Sequence, residues 1–158
     1  MRTTLPICVL LGATLTGCAA RQEEGGPEWL PQLEAAHRTA DQASARSDFA
    51  EARRALTEAI ALRPSQAMTA GERRVLTQDL HYRLAEVELA SGQPLEAQRA
   101  ASRGLALGRH DDLFTANLLV VRGRALEATG AERESATDYY EALRINDRLL
   151  RQELGENP

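Results

Sequence analysis

The chain of 158 residues contains no lysine; all 19 of its cationic side chains are arginine. No lysine is therefore present to act as a Schiff base or a general base. Aromatic residues make up only 4% of the chain, and β-branched residues are sparse beside alanine, leucine, arginine and glutamate. That mix favours helix over sheet, because these side chains lose little rotamer freedom in a helix. The formal charge of −4 is mild and both signs are spread along the chain. No basic block exists to neutralise a run of phosphates, so nucleic acid is not an expected partner. Phosphate-cradling glycine loops, nucleophile elbows and paired-histidine metal motifs are all missing. The length suits a single domain with a modest core.

Cysteine is nearly absent too, with Cys8 and Cys18 the only two. A disulfide between them is one reading, and the flanking residues offer another. Arg2 gives a charged start, and Leu5 to Leu15 is apolar except for Pro6, Gly12 and Thr14. The run is shorter than the ~20 residues a spanning helix needs, and it fits the apolar region of a secretory signal. It ends in Leu15-Thr16-Gly17-Cys18. This resembles the lipobox of bacterial lipoproteins, in which the thiol takes diacylglycerol and the cysteine becomes the mature N-terminus. The resemblance implies removal of residues 1–17, loss of Cys8 with them, and a covalent lipid on Cys18. No other cofactor is expected. Ala19 and Ala20 follow, with no aspartate beside the cysteine. In a Gram-negative host the resemblance then implies the outer membrane, with the chain facing the periplasm.

Residues 18–32 read as the lipidated cysteine and a flexible tether, since Gly25, Gly26, Pro27 and Pro31 resist helix. Trp29 either packs over an edge of the first helix or meets the membrane interface or a partner. From Leu33 the apolar residues follow a 3.6-residue period. Breaks fall at Ser47-Asp48, Arg63-Pro64, Ser91 to Pro94, Gly108 and Thr129-Gly130. Asp48 with Glu51 and Thr69 with Glu72 carry helix-start spacing, Pro94 suits a first helical position, and Asp111 and Asp112 can cap a helix from Leu113. Six main helices in three pairs are predicted, with a short C-terminal one over Arg148 to Leu154. Leu149, Leu150 and Leu154 would cover the last pair.

Aligned, residues 33–66, 78–111 and 116–149 share columns of small residues: Ala40, Ala85 and Gly123, then Ala52, Ala97 and Ser135, then Ala59, Gly104 and Ala142. A turn column holds Ser47, Gly92 and Gly130. Extra residues at 67–77 should lengthen the third helix. The pattern resembles the tetratricopeptide repeat, although the closing proline occurs only as Pro64. The resemblance implies an all-α fold over 33–154: antiparallel helix pairs stacked as a short right-handed solenoid, about three repeats plus a C-terminal cap helix. Residues 155–158 should form a loose tail.

Such a scaffold offers a concave face lined by the first helix of each pair. Its expected inward residues are His37 and Asp41, then Tyr82, Glu86 and Leu89, then Asn117, Val120, Arg124 and Glu127. One subclass of the family clamps a peptide carboxylate with lysines and asparagines; here the matching positions hold His37, Asp41, Glu86 and Val121, so that clamp is not expected. "RHDD" at Arg109 to Asp112 reads as a turn with capping carboxylates rather than a metal site. Of Tyr139 and Tyr140, one should be core and one surface. Nothing places a nucleophile beside a base, so neither an enzyme nor a small-molecule substrate is expected. The resemblances imply an adaptor or assembly factor that holds another envelope protein in a pilus, secretion, motility or outer-membrane assembly complex. The alternative is a regulator that recruits a cell-wall hydrolase or synthase.

Overall fold

The computed structural model describes residues 29–65 and 67–156; the expected signal, Cys18, the expected tether up to residue 28 and the last two residues of the expected tail lie outside them. The described residues form six helices: α1 (Trp29–Ala45), α2 (Phe49–Ala61), α3 (Ala70–Ala90), α4 (Pro94–Ala106), α5 (Leu113–Ala128) and α6 (Glu132–Glu153). Strands are absent among these residues. The sequence places the boundaries through specific caps. Asp48 accepts from the Glu51 amide, Thr69 and Glu72 form a reciprocal capping box, and Pro94 opens α4. Asp112 accepts from the Thr115 amide at the start of α5. Each device satisfies amides that a helix start leaves unpaired.

Packing follows the chain in pairs: α1 on α2, α3 on α4 and α5 on α6, with α2 joined to α3 and α4 to α5. The three turns inside the pairs share one geometry. Ser47, Gly92 and Gly130 all take positive φ, at 59°, 73° and 80°. The following amides of Asp48, Gln93 and Ala131 reach back to the carbonyls of Ala43, Glu88 and Leu126 at 2.8, 2.8 and 2.9 Å. That is the left-handed closure by which helices commonly end. All three small-residue columns are buried. Gly123 lies against the Tyr139 ring and Gly104 against Leu118, so close that an added Cβ would sit 2.7 Å from either. As expected, the residues after Ala67 lengthen α3, to 21 residues.

Three expectations change. Helix α1 begins at Trp29 rather than Leu33. Pro31 falls in its first turn, where a missing amide costs nothing, and Trp29 packs against the core. No separate C-terminal helix forms, because no glycine or proline interrupts the chain between Glu132 and Leu154 and α6 runs through. Its inner stripe of Ser135, Asp138, Ala142 and Ile145 is buried, and Leu149 extends it against the core. Leu150 and Leu154 therefore face solvent and cover nothing. Within the tail, Gly155 and Glu156 close α6, with the Glu156 amide bonded to the Arg151 carbonyl.

Polar groups also enter the core. Arg53 donates two bonds of 2.6 Å to the buried Glu88 carboxylate, tying α2 to α3. Arg122 binds the buried Asp138 in the same forked way, at 2.7 and 2.6 Å, tying α5 to α6. Gln78 is fully buried and donates from its amide to the carbonyls of Gly104 and Gly108, where α4 ends.

Candidate functional site

The face that joins α1, α3 and α5 gathers most of the expected binding residues. A cleft of about 330 Å³ between α1 and α3 is lined by Asp41, Tyr82 and Glu86 and floored by Leu56. A second, of about 390 Å³, lies between α3 and α5 beside Glu86, Leu89, Arg124 and Glu127. Glu86 borders both, so the two form one polar track. Helical spacing explains this: Tyr82, Glu86 and Leu89 recur at three and four residues, as do Val120, Arg124 and Glu127.

Ion pairs bind the track across helices. Arg83 donates to Asp41 of α1 at 3.1 Å and to Asp79 of its own helix at 2.9 Å. Arg124 of α5 donates to Glu86 of α3. Tyr139 of α6 donates its hydroxyl to Glu127 at 2.9 Å. Burial raises the Tyr82 hydroxyl above its ordinary pKa, aided by the nearby Glu86 charge. Burial also lifts Tyr139, with its bond to Glu127 acting the same way.

The remaining expected residues are less engaged. His37 is partly buried, and its Nε2 finds no hydrogen-bond partner among the described residues. Burial lowers its pKa, and the Arg83 charge adds to that, outweighing Asp79 and Asp41. Asn117 is partly buried and Val120 sits at the exposed margin. Val121, one of the clamp-matching positions, is fully buried and turns away from the face.

Asp79, Arg83 and Tyr139 belong to the track and escaped the sequence reading. Asp79 and Arg83 stand four apart, a spacing that pairs charges on a helix and could have marked them. Tyr139 gave no such signal, since its reach to Glu127 depends on how α6 lies on α5. In the Arg109 to Asp112 turn, Asp112 caps α5 and is held by Arg74 at 2.7 Å. Burial opposes the Asp112 charge, yet the bonds from Thr115 and Arg74 prevail and its pKa falls. Of the two adjacent tyrosines, Tyr140 is on the surface, while Tyr139 is half-buried over Gly123 rather than in the core.

No family model, curated protein or solved structure matches the chain. The track sets the carboxylates of Asp41, Asp79, Glu86 and Glu127 against the guanidiniums of Arg83 and Arg124. It is an acidic, open, ion-paired surface with two shallow clefts, suited to holding a side chain of opposite charge.

Proposed function

We propose that the chain is a lipid-anchored adaptor, held by Cys18 at the outer membrane, whose tetratricopeptide-like array grips another envelope protein. On this reading the helix pairs are repeats of one right-handed solenoid, the α1, α3 and α5 face is its concave side, and the chain performs no catalysis of its own. The observation that carries the reading is the acidic track from Asp41 through Glu86 to Glu127. It fits an extended segment or partner helix that presents arginine or lysine, since four carboxylates face only two guanidiniums. The shared left-handed turns at Ser47, Gly92 and Gly130 support the repeat assignment. The Leu15 to Cys18 motif supports the anchor.

Two experiments test it. Cys18→Ala should move the protein out of the membrane fraction; continued tight membrane association sinks the anchor. A photo-reactive residue at Tyr82 or Arg124 should capture a secretin, motility or assembly subunit. Capture of a cell-wall hydrolase or synthase instead makes the chain a recruiting regulator, and capture of random abundant proteins removes the track as a binding surface.

A further inference from the structure

The two ends of the array present unlike surfaces. In the register that aligns the three pairs, Leu105 of α4 corresponds to Leu143 of α6. Leu105 is 5% exposed because α5 lies over it, whereas Leu143 is 65% exposed. Tyr140, Leu150 and Leu154 are exposed beside it. With Asp147 they form a stripe at alternating three- and four-residue steps, the seam by which one helix packs along another. The α6 end is therefore a bulky apolar ridge.

The α1 end is hollow. Leu80 and His81 of α3, and Leu118 and Leu119 of α5, are buried. In the same register α1 has only Ala35 and Ala36. These alanines, with Thr39, Ala55, Ala59 and Leu62, line a groove of about 510 Å³ between α1 and α2. Glu51, Arg54 and Glu58 stand on its rim, two carboxylates to one guanidinium. Along the α6 ridge Arg144 and Arg151 flank Asp147, Arg151 is paired with that carboxylate and Glu153 stands beside Leu154, so Arg144 is the guanidinium without an ion-pair partner among the described residues there.

We propose that copies of this chain stack end to end, the α6 ridge of one copy seated in the α1–α2 groove of the next. The ridge matches the hollow in shape, and Arg144 and Glu58, each without an ion-pair partner among the described residues, can meet across it. The contact extends a junction the molecule already uses, since α2 packs on α3 and α4 on α5 as α6 would pack on the next α1, with α2 of that copy as the second wall of the groove. A symmetric α6–α6 pairing about Asp147 would set Asp147 against Asp147 and Arg144 against Arg151, so like charges oppose it. A head-to-tail contact leaves a free ridge and a free groove at the two ends, so it extends into linear oligomers unless the rotation between copies closes a ring.

The test is a benzophenone side chain at Leu143 in the purified full chain, irradiated and mapped by mass spectrometry. The expected result is cross-linked dimers and higher oligomers whose second site lies in Gln32–Thr39 or Glu51–Leu62. A probe at Ala35 should map reciprocally to α6. Leu150→Glu should abolish both products, while Arg99→Glu on exposed α4 surface should leave them intact. Products joining α6 to α6, products joining Leu143 or Ala35 to residues 1–28, survival of the products in Leu150→Glu, or no cross-linked oligomer would each overturn the proposal.

Discussion

At the scale of single residues, small side chains and buried charges set how closely the helices approach. The Cβ that Gly104 lacks would lie 2.7 Å from Leu118 and 3.0 Å from His81. Gly104→Val should therefore cost about 1–3 kcal/mol by overpacking, read as a lower urea midpoint at unchanged slope. Arg122→Met leaves the Asp138 carboxylate, 4% exposed, without its partner. Because Arg122 keeps some solvent contact, about 2–3 kcal/mol should be lost. Adding Asp138→Leu should recover most of it in a double-mutant cycle, and failure to recover would show the pair does not act as a unit. His81 is buried with Nδ1 lacking a partner among the described residues, and burial, aided by Arg103, lowers its pKa from 6.5. The unfolded chain then binds the proton more readily, so stability is complete above pH 6.5 and declines as pH falls through that value. His37 acts in the same direction. Urea midpoints at neutral and mildly acid pH should show the decline, and His81→Leu should reduce it. The small columns were readable from sequence because their residue types recur in register. The Arg53–Glu88 and Arg122–Asp138 pairs were not, since neither is in register with the other and each depends on the rotation of two packed helices.

At the scale of the element, turns and caps were the most legible features. Asp48, Thr69 and Glu72, Pro94 and Asp112 each act through bonds local in sequence, so a short window contains all the information. The end of α6 was not legible in this way. Leu149, Leu150 and Leu154 share apolar character, yet only Leu149 continues the inner stripe, and that depends on where α5 begins, beside Arg148 and its partner Asp111. The start of α1 was misread because Pro31 disfavours a helix interior but not a first turn. The turn column yields a prediction. Ser47 holds φ 59° without being glycine, so Ser47→Gly should raise stability by about 1 kcal/mol. Gly92→Ala and Gly130→Ala should each lower it by a similar amount. Thermal melts of the three variants check this, and equal stability throughout would mean the turns bear no strain.

At the scale of the whole molecule, packing is uneven. Helix α3 is held by α2, α4 and α5, whereas α1 packs chiefly on α2. Amide hydrogen exchange should be slowest in α3 and α5 and fastest in α1, and a uniform profile would contradict this gradient. The polar track crosses the same gradient, its Asp41 end on the looser helix and its Glu86 and Glu127 end on the firmer ones. A partner seated there would draw α1 inward and slow its exchange. Gln78 carries one more consequence. From inside α3 it grasps the last carbonyls of α4, and Arg74, one turn earlier, holds both Gln78 and the Asp112 cap of α5. The linker between the second and third pairs is thus fastened at both ends to a helix that is not its sequence neighbour. Melting of either pair breaks the same knot, so α3 through α6 should unfold in one cooperative step rather than as beads released in turn.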